Sequence, residues 1–122
     1  MNTHTLSFAQ IHILADDIAE VIVNEGIEIT LTMVSEYHDF LLKEMSHPFS
    51  ILINKKNSYT YTFDAQRHLW TLPEFRAIAV LAYNDMTVKV TQGLISIQRD
   101  ISCTIKIFNQ RDVGLQWLTD ED

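Results

Sequence analysis

The chain has 122 residues, 47% of them hydrophobic and 20% charged, with only three Gly and two Pro, a composition that argues against a disordered or fibrous protein and for a single core burying roughly two thirds of the unfolded surface. Sixteen acidic side chains against nine basic ones leave a formal charge of −7, which repels nucleic-acid backbones and anionic membrane surfaces. No basic stripe offsets it, since Lys55-Lys56 runs directly into Asn57-Ser58.

In chain order, Ser7 to Leu14 predicts a strand carrying Phe8, Ile11, Ile13 and Leu14. Asp16-Asp17 supplies a turn, and Ile18 to Asn24 is a second strand rich in β-branched residues, so the two are expected to pair as an antiparallel hairpin. From Thr30 the period lengthens. Leu31, Val34, Leu41, Leu42 and Met45 share one helical stripe that ends before His47-Pro48. Phe49 to Asn54 is a short buried strand, Asp64 to Leu72 a short helix turning Ala65, Leu69 and Leu72 inward, and Ile78 to Tyr83 a central strand covered on both faces.

Asn84-Asp85 caps a further helix with the stripe Met86, Val90, Leu94, Ile97 and Ile101, and Met33, Met45 and Met86 fit core or core-margin positions. Cys103 to Phe108 is the last strand, and Asn109 to Leu118 a closing helix with Val113, Trp117 and Leu118 on one side. The predicted order β-β-α-β-α-β-α-β-α gives an α/β domain, a five-stranded mixed sheet flanked by helices. Residues 1-122 form one domain on this reading, with 1-6 and 119-122 expected to fray. Cys103, the lone cysteine, has no intramolecular disulfide partner, Met1 to Thr5 lacks a basic, apolar leader, and no apolar run is long enough to span a bilayer. A cytoplasmic protein without membrane insertion is expected.

Element order and spacing resemble the STAS group, named for sulfate transporters and anti-sigma-factor antagonists, and in particular its stand-alone SpoIIAA-like bacterial members. The likeness spans nearly the whole chain. Its carriers are the opening hairpin leading into Ile29-Thr30-Leu31, the Ile51-Leu52-Ile53-Asn54 strand with its polar loop and short helix, and the terminal Asp112-Val113-Gly114-Leu115-Gln116-Trp117-Leu118. The resemblance implies a regulatory domain with no cofactor. In anti-sigma-factor antagonists a helix start bearing Asp-Ser-Ser/Thr-Gly carries the phosphorylated hydroxyl. The matching stretch here, Ser58 to Gln66, lacks that motif and places Asp64 or Ala65 at the acceptor position. Asp64 there is either a permanently negative stand-in or an ordinary first-turn residue, a role Thr62 can share.

The residues themselves point to few chemistries. No G-x-G-x-x-G, phosphate loop, G-x-S-x-G elbow or H-E-x-x-H is present. Asp64, Arg67 and His68 have helical spacing for an acid–base pair, but such spacing is unspecific and a solvated face with a weak ion pair is the favoured reading. Asp16-Asp17 falls short of a calcium site, Glu36, His38, Glu44 and His47 are expected to diverge, and Cys103 lacks an activating neighbour; no metal site is expected. The least ordinary stretch is Tyr59-Thr60-Tyr61-Thr62-Phe63, aromatics alternating with hydroxyls. Extended, it presents three rings in one direction as an interface; alternatively, two of the three cover the domain's own core.

Two functions follow. The first is a non-enzymatic regulatory or interaction domain whose contact surface is Tyr59, Thr60, Tyr61, Thr62, Phe63, Asp64 and Gln66, the partner being another protein or a second copy in a homodimer. The alternative is a carrier or sensor of a small apolar, lipid-like ligand, which requires a sizeable apolar cavity beneath Trp70 or Trp117. An enzyme using Asp64 and His68 stands third.

Overall fold

The computed structural model describes residues 2–97 and 100–120. The chain opens with a three-stranded antiparallel meander, β1 (Thr3–Thr5), β2 (Ala9–Ala15) and β3 (Ile18–Val23), with Asp16-Asp17 at the β2–β3 turn as the sequence predicts. After the two-residue β4 (Glu28–Ile29) comes α1 (Leu31–Glu44), whose first turn is capped by Thr30 Oγ1 accepting from the Met33 amide at 3.3 Å. Next are β5 (Phe49–Asn54), buried at every position, β6 (Thr60–Tyr61), paired in parallel with β4, and α2 (Phe63–His68), capped by Thr62. The chain closes with β7 (Phe75–Leu81), α3 (Asp85–Ile95) capped by Asn84, β8 (Thr104–Phe108) and α4 (Arg111–Asp120).

The main sheet has six strands in the order β1-β2-β3-β5-β7-β8, antiparallel through β3 and parallel from there on. Its parallel half grows one way, and right-handed crossovers then place every connecting helix on one face. Val34, Tyr37 and Leu41 of α1, Ala65 of α2 and Leu94 of α3 accordingly share a core with Ala19, Val21, Ile51, Ile53, Ile78 and Val80. The intervening positions Ile18, Leu52, Ala77, Ala79 and Leu81 form a second, smaller core under Leu118 of α4. The strands thus carry apolar side chains on both faces, and the fold is three-layered where α4 lies.

Several expectations are corrected. The sheet has six strands rather than five because Thr3–Thr5, inside the stretch expected to fray, pairs with Gln10, Ile11 and His12. Thr3 Oγ1 lies 2.9 Å from His12 Nδ1 and His4 packs edge-on to Phe40, contacts that leave no apolar alternation for sequence to show. At the other end, Thr119 and Asp120 belong to α4, and residues 121–122 lie outside the described part. The second helix begins at Phe63 and stops at His68 rather than Leu72, since Trp70 adopts a left-handed backbone with φ 65° and turns its buried ring into the core. The α3 stripe is also rotated. Thr91 and Leu94 are buried while Met86 is 73% and Val90 56% exposed, and Ile97 and Ile101 pack against the core beyond the end of the helix at Ile95. In α4 the inward residues are Gly114 and Leu118, and Val113 is exposed. A β-carbon on Gly114 would sit 3.4 Å from Leu52 Cδ1 and 3.5 Å from the Phe108 ring, in ordinary contact with both.

Candidate functional site

The carboxyl ends of β5 and β7, the side of a parallel sheet where ligands commonly meet open α/β folds, lead into the loop 55–59 and the start of α3. The β6–α2 segment lies beside them. Tyr59 and Tyr61 turn toward the core as a half-buried edge-to-face pair with centroids 5.7 Å apart. Beneath them Lys55, 8% exposed, places its ammonium 5.4 Å from the Tyr59 ring centroid and 5.5 Å from that of Tyr61. Phe63 lies beyond the Thr62 cap, where the helix breaks the alternation of the extended chain, and is 68% exposed with the Arg67 guanidinium 5.7 Å from its ring. Two rings of the aromatic run therefore cover the core and one faces out.

The other expected site residues take plain positions. Thr60 and Asp64 are exposed, Thr62 Oγ1 accepts from the Ala65 amide at 3.2 Å, and Ala65 is fully buried beneath the helix. Gln66 Nε2 donates to the Tyr61 carbonyl at 3.2 Å, tying α2 to β6. His68 is exposed, and its Nδ1 lies 2.9 Å from the Asp64 backbone carbonyl. Asp64 and His68 thus pair through the main chain rather than as an acid and a base. Asp17 is bound to Arg76 at 3.1 Å, Glu36 accepts from the Ser7 amide and hydroxyl, and His38 packs edge-on to Phe75. Among the described residues no three His, Cys, Asp or Glu side chains converge to hold a metal ion. Cys103 is half-buried just ahead of β8.

Three concavities surround Tyr59 and Tyr61. A groove of about 440 Å³ runs between β6–α2 and α3, lined by Tyr59, Thr60, Tyr61, Gln66, Val90 and Leu94 among others. It continues past Tyr59 and Val90 into a pocket of about 210 Å³ at the strand ends, where Lys55, Lys56, Ser58, Asn84 and Thr87 meet. The third, lined by Tyr37, Tyr59 and Tyr61 among others, is apolar and holds only about 30 Å³. Burial pushes the Tyr37 hydroxyl far above the usual tyrosine range, with Tyr61 and Cys103 adding to the effect. Burial also pushes Tyr59 up, and Tyr61 adds to that. This cavity lies under the tyrosines and is far below the several hundred Å³ that a lipid-like ligand occupies, whereas the concavity of about 550 Å³ beside Trp117 is an open one on the surface, lined also by Asp112, Gln116 and Asp120.

Two features escape the sequence pattern. Lys55 ends a buried strand, and burial draws its ammonium down to about 8 from the ordinary lysine range. A lysine directly after the apolar β5 run, at the carboxyl end of a central parallel strand, is the signal that could have singled it out. On the opposite face Glu20, 5% exposed, stands in the middle of β3. Arg111 Nη2 donates to it at 2.6 Å and Asn54 Nδ2 at 2.9 Å, while Tyr83 donates its hydroxyl to Asn54 Oδ1 at 2.8 Å. Burial by itself would raise the Glu20 carboxyl, but the hydrogen bonds from Arg111 and Asn54 and the Arg111 charge outweigh it and hold the group below the ordinary range. The first residue of α4 is thereby fastened to the sheet. Sequence shows this glutamate only as one polar letter in an apolar strand. Comparison with protein-family models, with curated proteins and with solved structures finds no match.

Proposed function

We propose that the protein is a non-catalytic interaction domain of the STAS kind that seats an amphipathic segment of another protein in the groove between β6–α2 and α3. The observation that carries this reading is the exposure of Met86 and Val90 on α3 and of Phe63 on α2, three large apolar side chains on the two elements that flank one groove. Tyr59 and Tyr61 supply its aromatic floor, as rings do at many interfaces. Lys56, Arg67 and Lys89 are exposed on the same elements or the adjoining loop of an otherwise acidic chain, so a partner with acidic residues around its apolar anchors is the matching one. In this reading the surface is constitutive: Asp64 holds a first-turn position, Ala65 at the acceptor position is buried, and no hydroxyl stands where the antagonists are phosphorylated.

The test is native mass spectrometry of the protein purified gently from its own cells, beside the Met86→Glu/Val90→Glu variant. The expected result is a bound protein, released by raised salt and absent from the double variant. Retention of the same partner by that variant, or recovery of the wild type with only a small molecule, overturns the groove as the contact surface. A complex made of second copies, equally lost in the variant, identifies the partner as the chain itself.

A further inference from the structure

We propose that the pocket at the carboxyl ends of β5 and β7 is an oxyanion site, in which a carboxylate or phosphate group pairs with the Lys55 ammonium beside the first turn of α3. Lys55 is more than nine-tenths buried, yet among the described residues no carboxylate lies within ion-pair distance of it. Its neighbours are the faces of Tyr59 and Tyr61, which attract a cation but do not neutralise it. Buried charges are otherwise paired, and Lys55 lines this open pocket with no counter-charge from the described residues.

The remainder of the lining suits an anion. Lys56, Ser58 and Asn84 contribute a second ammonium, a hydroxyl and an amide, while Asn57 Nδ2 donates to the Val23 carbonyl at 2.9 Å and Thr87 Oγ1 to Asn84 Oδ1 at 3.0 Å, and no carboxylate lines the pocket. The Asn84 side chain accepts from the Thr87 amide at 2.9 Å, and the Asp85 and Met86 amides in the first turn of this eleven-residue helix have no intrahelical acceptor. Two acidic groups stand nearby. Glu25 accepts from the Ser58 amide at 3.1 Å and is thereby engaged, and Asp85 is exposed in the first turn of α3. Met86 and Val90 on the rim add apolar surface, so an anion carrying an apolar or planar body fits better than a bare ion.

The site stands whether or not the groove beside it seats a protein, and its ligand has two sources, a free organic acid or phosphate and a carboxylate of the groove's partner. The first arm follows backbone amide NMR signals of the whole protein during titration with sodium benzoate and, separately, inorganic phosphate at constant ionic strength. Saturable shifts at Lys55, Ser58, Asn84 and Thr87, weakened about tenfold or more in Lys55→Met but kept in Lys55→Arg, identify a free anion. The second arm compares partner retention by the same variants; loss in Lys55→Met with retention in Lys55→Arg identifies a partner carboxylate. If free anions give only unsaturated shifts that are equal in wild type and Lys55→Met, and the variants retain partner alike or no partner is found, the oxyanion site is refuted. Failure of the groove reading leaves the first arm intact, so the two proposals fail separately.

Discussion

Lys55 and His38 are the two side chains whose burial costs the folded state most visibly, and both act in the same direction with pH. Burial draws Lys55 down to about 8. The folded state thus binds fewer protons than the unfolded chain between that value and the ordinary lysine range. Stability is full above the unfolded pKa, declines as pH falls toward about 8, and stays at its lower level at neutral pH. The penalty is on the order of 3 kcal/mol. Lys55→Met, which keeps length and apolar contacts and removes the charge, is therefore expected to be more stable than wild type at pH 7 and to lose the rise in stability that wild type shows from pH 8 upward, as chemical denaturation at a series of pH values reads directly. For His38, burial is the main cause and draws the imidazole down to about 4, against the opposing pull of Asp39 and with a smaller push downward from His68. Stability is complete above the ordinary histidine range and falls as pH drops toward 4. His38→Phe should flatten that acid limb. Equal slopes in wild type and variant would show that His38 stays solvated.

At the scale of elements, Glu20 with Arg111 is the testable joint, because it ties α4 to the middle of β3. Arg111→Ala leaves a carboxylate in a strand interior with Asn54 as its remaining partner. About 1–3 kcal/mol of stability should be lost, the lower part of the range for a charge whose partner is itself half-exposed to solvent. In the Glu20→Leu background the same arginine change should cost much less; equal costs in the two backgrounds would mean that the pair contributes nothing as a pair. This joint also shows where sequence stops being informative. The apolar runs of β3, β5 and β7, the change of period at Thr30, the Asn84 cap and the Asp16-Asp17 turn were legible, since each is written locally in period or capping chemistry. β1 was hidden because Thr3-His4-Thr5 has no apolar alternation, and β4 and β6 because two residues carry no period. The α3 face was misjudged because Met86 and Val90 are apolar letters at helical spacing, and only tertiary packing reveals that Thr91 and Leu94 are the buried ones. In the candidate site, the prominence of the aromatic run was legible, but the split between inward Tyr59 and Tyr61 and outward Phe63 depends on where the Thr62 cap starts the helix.

Across the whole molecule, the two faces of the sheet are unequally defended. One carries α1, α2 and α3 over a continuous core, and the other has α4 alone over Leu52, Ala79 and Leu81. Amide hydrogen exchange should therefore report two stabilities: α4 opening first, the amides of β5 and β7 exchanging only with global unfolding. Uniform exchange across α4 and the central strands would show one cooperative unit instead.

The Glu20–Arg111 contact joins residues 91 positions apart, and this separation acquires meaning when the chain is made from its amino end. Glu20 leaves the ribosome before Arg111 and lacks this partner until the chain has grown 91 residues further. Until then the meander and the central strands can collapse against α1, but the far face stays bare and its carboxylate stays hydrated. Arrival of α4 both neutralises that charge and covers the apolar patch around it, so one event in the growth of the chain supplies the counter-charge and the second layer together.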